Sequence, residues 1–277
     1  MRTRRQGPGD RGGSAVSRLA ATFAELAKRE ELAFIPYQTL GYPTLEQSLN
    51  NLQELVRLGA DIVEVGMPFS DPVADGPTIQ MSSQAALAQG VTLHAALTAL
   101  RDRRLAAPVV LMSYLNPLLA FGEERLFPSL ADAGVEGLIV PDLDMHDADA
   151  WLARGRAHGV DLIFLLAPTS SERRIREVAE RTEGFIYAVA LTGTTGARES
   201  LDEKLPAFLD RIRAATDKPI VVGFGIARPE HVRALHGRAD GVVVASRLLD
   251  AIRRGEDWTN LARALKDATR KSSCSSS

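Results

Sequence analysis

The sequence predicts an α/β protein: a single (β/α)8 TIM barrel with an extra N-terminal helix and a disordered N-terminal extension. Three observations predict it. Short apolar runs rich in Val, Ile, Leu and aromatics recur roughly every 20–30 residues, each of a length suited to a strand buried on both faces. Segments of helical period lie between them. Eight such pairs over about 250 residues match the arithmetic of a barrel whose sheet closes on itself. A doubly wound open sheet satisfies the same periodicity and is the alternative.

Residues 1–14 are rich in Arg and Gly with no apolar stretch, which describes a solvated extension and not a secretory signal. Ser14 to Arg29 reads as a helix ahead of the barrel. The eight strand candidates are "AFIPYQTL" (33–40), "ADIVEVGM" (60–67), "PVVLMSY" (108–114), "GLIVPDL" (137–143), "DLIFLLAP" (161–168), "GFIYAVAL" (184–191), "PIVVGFG" (219–225) and "DGVVVAS" (240–246). Seven of them carry Pro, Gly, Ser, Thr, Asp or Asn at or just after their ends, which turns the chain. In "TLEQSLNNLQELVRLGA", Leu45, Leu49, Leu52, Leu55 and Val56 recur at helical steps, and Thr44 offers an N-cap hydroxyl. In 171–182, Ile175, Val178 and Ala179 turn inward and the charges form a solvated face. The 68–107 interval has room for an additional helix. The barrel domain is expected over 15–268 with no linker dividing it, followed by a Ser-rich tail at 269–277.

With 33 Lys+Arg against 35 Asp+Glu the net charge is -2, so no global field invites nucleic acid or membrane. The single cysteine, Cys274, lies in the tail, which excludes a disulfide within the chain and argues against a Cys-based metal site. No apolar run approaches the ~18 residues that span a bilayer. A cytoplasmic protein is expected.

Glu64 interrupts the second apolar run. If it shares a face with Ile62, it points into the barrel near the mouth, where strand ends carry chemistry. Apolar surroundings would raise its pKa enough to hold a proton near neutrality; a structural Glu paired with a cation is the other reading. Asp75 lies in "DPVADGP", a loop stiffened by prolines, where Asp also commonly caps a turn. Asp71, before Pro72, fits that turn role better. Late in the chain, "LTGTTGAR", "GFGIARPE" and "ASRLL" follow strands six, seven and eight. Glycines there let backbone amides approach an anion, and loops after the last two strands of such barrels commonly bind phosphate.

"EVGMPFSDPVADGPTIQ", together with "LTGTTGA" and "VVGFGI", resembles the tryptophan synthase alpha chains, whose signature is close to E-x-G-x-P-[FY]-S-D-P-x-A-D-G-P. "YLNP", "GLIVPDL" and "APTS" match as well, and the resemblance covers roughly residues 15 to 268. It implies retro-aldol cleavage of indole-3-glycerol phosphate to indole and glyceraldehyde 3-phosphate, with no Schiff base, metal or cofactor in this chain. Glu64 and Asp75 match the family's two catalytic carboxylates, Glu64 shuttling a proton and Asp75 accepting from the indole N–H. Tyr187 matches the tyrosine beside the catalytic Glu; barrel packing is its other reading. Gly196, Gly225, Ala245 and Ser246 match the phosphate site and Thr195 a lid loop. The implied partner is a beta chain carrying pyridoxal phosphate, in an alpha2-beta2 heterotetramer.

The chain departs from the family at three places. Ala245 replaces a common Gly, Leu191 a commonly polar residue, and "PDLDMHDAD" a commoner "PDLPPEE". A metal site from Asp144, His146 and Asp147 is conceivable there, but a solvated cap is the plainer expectation. His94, His158, His231 and His236 lack ligand spacing, and Trp151 and Trp258 read as packing residues. A free-standing indole-releasing lyase, and a non-catalytic subunit that binds a phosphorylated ligand, are the alternative functions.

Overall fold

The structure is a computed structural model and describes residues 17–189, 203–223 and 225–271. The 1–14 extension, the end of the tail, Leu191, Thr195 and Gly196 lie outside the described residues. The strands are β1 (Ala33–Thr39), β2 (Val63–Gly66), β3 (Val109–Met112), β4 (Val135–Ile139), β5 (Asp161–Ile163), β6 (Leu165–Leu166), β7 (Ile186–Val189), β8 (Ile220–Gly223) and β9 (Gly241–Val244). They form one sheet in the order β5-β4-β3-β2-β1-β9-β8-β7-β6, with every pair parallel.

The expected fifth strand is two pieces. β5 pairs with β4 and β6 pairs with β7, so the one segment from Asp161 to Leu166 touches both ends of the sheet and joins it into a ring. The break falls at Phe164 because the Thr182 hydroxyl accepts its amide at 3.1 Å, in place of a ladder partner. A barrel therefore replaces the open-sheet alternative.

Period-two alternation sorts the side chains. Ile35, Ile62, Val110, Ile139, Ile163, Val221 and Val243 fill the barrel. Their sequence neighbours, among them Phe34, Val63, Val65, Leu111, Leu138 and Val222, pack outward against the helices. Both faces are dry, which is why these runs carry no polar alternation.

The extra N-terminal helix spans Arg18–Lys28 and is capped by Ser17, whose hydroxyl accepts from the Ala20 amide and donates to Asp161 at 2.8 Å. Its buried Leu19, Phe23 and Leu26 join the interior cluster, and Phe23 meets Phe185 with ring centroids 5.7 Å apart. The helix therefore plugs the N-terminal end of the barrel and leaves the opposite mouth for chemistry. Thr44 caps Leu45–Arg57, as its sequence predicts, and Ser171 caps Glu172–Arg181 in the same way. The 68–107 interval holds two helices, Pro77–Ala88 and Leu93–Arg103. Trp151 packs edge-on against Phe127 at 5.7 Å, and Trp258 lies partly buried against the outer core.

At the N-terminal end, Lys266 from the helix Trp258–Ala268 donates to both oxygens of Asp61, at 2.9 and 2.8 Å. Asp61 also accepts the Phe34 amide at 2.8 Å. This nearly buried pair ties the last helix to the first two strands.

Candidate active site

Strand alternation decides where Glu64 points. Ile62 lies inside the barrel, and Val63 and Val65 lie outside it, so Glu64 turns inward between them. It is 1% exposed, and its Oε2 has no hydrogen-bond partner. Burial, then the negative charge of Asp75, pushes its carboxyl up to about 8. The paired-cation reading therefore fails: Glu64 has no ion-pair partner in the described barrel and keeps its proton at neutral pH.

Asp75 reaches the mouth from the loop between β2 and the helix Pro77–Ala88. Its amide donates to the Pro72 carbonyl at 3.1 Å, and its carbonyl accepts from Gln80 Nε2 at 2.8 Å. Burial raises its carboxyl to about 6, against a lowering hydrogen bond from Tyr114. Its Oδ1, like Glu64 Oε2, is buried and unpartnered. Unmet acceptors of this kind are rare in folded proteins and concentrate where a ligand or catalysis supplies the missing contact. At pH 7 the two carboxylates differ in charge state, Glu64 neutral and Asp75 mostly ionised, and such division marks split acid–base roles. Asp71 does shape a turn, its carbonyl accepting the Val73 amide at 2.9 Å.

Two buried tyrosines flank Glu64. Tyr37 in β1 is its register partner in β2, and its hydroxyl lies over Gly66, where a Cβ would come within 1.8 Å of it. Tyr187 in β7 crosses Gly223, where a Cβ would meet its ring at 2.2 Å. Burial and the neighbouring carboxylates hold both phenols well above their usual range, so both are neutral donors.

The last two strands end at the same mouth. Gly225 adopts φ +78°, a left-handed conformation that glycine alone adopts without strain. Ala245 precedes the helix Ser246–Arg254, which no side chain caps, so its first-turn amides and dipole are available to an anion. Ala245 has a negative φ of -113°, so no left-handed conformation demands glycine there.

This barrel, closed at one end by a helix and carrying unequal carboxylates and glycine-rich strand ends at the other, invites comparison with known proteins. The family model described as "Tryptophan synthase alpha chain" matches residues 23–275. The chain belongs to the tryptophan synthase alpha chain family. A tryptophan synthase alpha chain of Roseiflexus sp. (strain RS-1) is 47% identical over 253 residues, covering 90% of this chain and 97% of that protein. One from Geobacter sulfurreducens is 43% identical, covering 91% and 99%. Among solved structures, tryptophan synthase of Mycobacterium tuberculosis superposes with a TM-score of 0.86 at 36% identity, covering 93% of this chain and all of that one.

Beyond what the tryptophan synthase alpha resemblance implies, three side chains at the site carry no signal of their own in the sequence. Tyr37 and Tyr114 sit in or beside apolar runs and read there as packing. His231 sits in a short helix without ligand spacing, yet it is 4% exposed and its Nδ1 lies 3.0 Å from the Gly225 carbonyl and 3.3 Å from the Ala227 amide. It braces the turn that follows β8. The His146 amide donates to Asp144 Oδ1 at 2.8 Å, closing a turn, while Asp147 at the N-cap of the helix Ala148–His158 makes no side-chain capping bond.

Proposed function

We propose that this chain performs the alpha reaction of tryptophan biosynthesis, cleaving indole-3-glycerol phosphate to indole and glyceraldehyde 3-phosphate, through Glu64 and Asp75. Family membership supports the reaction. The observation that carries the residue assignment is the pair of buried, unpartnered oxygens, Glu64 Oε2 and Asp75 Oδ1. Protonated Glu64 delivers its proton to indole C3, making that carbon a leaving group. Ionised Asp75 accepts from the indole N–H and offsets the positive charge that the ring acquires. The Glu64 carboxylate then takes the proton of the side-chain hydroxyl next to C3. The C3–side-chain bond breaks, its electrons restore indole, and the hydroxyl carbon becomes the aldehyde. Glu64 ends protonated as it began, so the cycle closes without an added cofactor.

Tyr187 donates beside Glu64, and the amides around Gly225, Ala245 and Ser246 grip the phosphate, with Gly196 contributing and Thr195 in a loop that covers the substrate. Anchoring the phosphate positions the ring between the two carboxylates. Indole release from indole-3-glycerol phosphate tests this reading. The profile of kcat/KM against pH is expected to be bell-shaped, with an acid limb near 6 where Asp75 loses its charge and an alkaline limb near 8 where Glu64 loses its proton. A flat profile between pH 5 and 9 would contradict the division of roles.

The partner we propose is a beta chain carrying pyridoxal phosphate, joined in an alpha2-beta2 complex in the cytoplasm. What supports a docking face at the mouth is apolar exposure: among the described residues, Val73 at 86% and Leu119 at 41% are the large hydrophobics left in solvent. The segments that carry them, after β2 and β3, also contribute Met67, Phe69, Pro117 and Phe121 to a groove. Leu119→Asp is expected to weaken beta-chain binding about tenfold or more, read as the concentration of beta chain that stimulates cleavage. The rate of the isolated chain should stay the same.

A further inference from the structure

The loop bearing Asp75 has one contact that the reaction above does not use. Tyr114 follows β3 directly, and its hydroxyl accepts the Ala74 amide at 3.0 Å. The same hydroxyl faces the Asp75 carboxylate and favours its ionised form. Its ring is held on one side by Phe69, with centroids 5.1 Å apart and planes tilted by 30°. The chain just beyond it is fixed by Asp142, whose Oδ1 accepts the Leu115 amide at 2.8 Å. Phe69 and Ala74 lie on either side of the exposed Val73 tip, so Tyr114 touches the loop on both limbs.

We propose that Tyr114 is the positioning residue of this site: one phenol hydroxyl latches the Asp75 loop to the end of β3 and orients the carboxylate so that Oδ1 stays free for the substrate N–H. The inference rests on the reaction assigned above and adds the device that sets Asp75. A backbone amide anchored at Ala74, with the same phenol facing the carboxylate of the next residue, sets where the loop sits and biases which oxygen faces the cavity. Unheld, a carboxylate on a Pro/Gly loop turns its oxygens freely and meets a ring nitrogen less often. The other titratable groups facing Asp75 are Glu64 from β2, Tyr37 from β1 and Tyr187 from β7. Against these groups, the Tyr114 hydroxyl is the neighbour that favours the ionised form of Asp75.

Tyr114→Phe in the full chain keeps the ring and its contact with Phe69 and removes only the hydroxyl. The expected result is a fall in kcat of roughly tenfold or more, with the acid limb of the kcat/KM profile moved to higher pH and the alkaline limb unmoved. A merely structural tyrosine would lower thermal stability and leave the acid limb in place, and that result would overturn the proposal. A substrate-free readout separates this inference from the assigned reaction. Carbon-13 NMR of the Asp75 carboxyl should show it titrating at higher pH in Tyr114→Phe than in the wild type, whichever substrate the enzyme takes. An unchanged titration overturns the latch even if indole release is confirmed. If Tyr114→Phe does not fold, the Tyr114 ring is titrated in wild type and in Asp75→Asn. Its phenol should titrate lower in the variant, where the neighbouring negative charge is gone, and no difference overturns the proposal.

Discussion

Glu64→Gln is expected to lower kcat for indole release by about a thousandfold or more while making the folded protein more stable above neutral pH. Gln fills the same space in the barrel but carries no transferable proton, so the step at indole C3 loses its acid and the step at the hydroxyl its base. The stability gain follows from proton linkage. In the folded chain Glu64 holds its proton up to about 8, whereas an unfolded glutamate releases it near 4.5. Between those values the unfolded state releases a proton that the folded state keeps, so wild-type stability falls as pH rises through that window. Below about pH 4.5 the penalty is absent, and above about pH 8 it is full. Gln cannot ionise, and the variant should therefore match wild type at pH 4 and exceed it at pH 8 by on the order of 4 kcal/mol. Urea melts at the two pH values check the stability. Retained cleavage would remove Glu64 from its assigned role.

Lys266→Met is expected to do the opposite: to cost stability and spare catalysis. The Lys266 side chain is 8% exposed and that of Asp61 16%, and both Asp61 oxygens are held by the ammonium. Removing the cation leaves a nearly buried carboxylate with little beyond the Phe34 amide for compensation, and broken pairs of this kind cost about 3 kcal/mol or more. For a domain of this size that is a fall in Tm of roughly 6–12 °C. Asp61→Asn added to Lys266→Met removes the stranded charge, keeps an acceptor for the Phe34 amide and should recover part of the loss. Since the pair lies at the plugged end, folded variant should retain wild-type kcat. A stability change under 1 kcal/mol would show that the pair is solvated and contributes little.

The contrast between these variants reflects how differently the two ends of the barrel were written into the chain. Glu64 was legible as an anomaly, a carboxylate inside an otherwise apolar strand and two residues from Ile62. A structural Glu paired with a cation explained it as well, until its burial with no ion-pair partner among the described residues was seen. The helix capped at Thr44, the helix within 171–182 and the helix ahead of the barrel were legible from local chemistry alone. The split of the fifth strand was not, since it depends on β5 and β6 finding partners on opposite sides, a relation between distant strands that periodicity does not encode. The break at Phe164 depends on the Thr182 hydroxyl, 18 residues away. Tyr37 and Tyr114 were masked for a physical reason: a tyrosine at an apolar position looks like core until its hydroxyl is seen to meet Gly66 or Ala74. His231 was masked likewise, because bracing a backbone turn needs no second ligand and leaves no spacing.

The central claim is that one indole ring lies between a neutral Glu64 and a charged Asp75. Its most direct test is a crystal structure of the chain with indole-3-propanol phosphate, which lacks the hydroxyl that must lose its proton and so cannot be cleaved. The expected complex has the ring N–H donating to Asp75 Oδ1, ring carbon C3 facing Glu64, and the phosphate on the amides near Gly225 and Ser246. A ring bound outside the barrel mouth, or one that touches Asp75 with C3 turned away from Glu64, would contradict it.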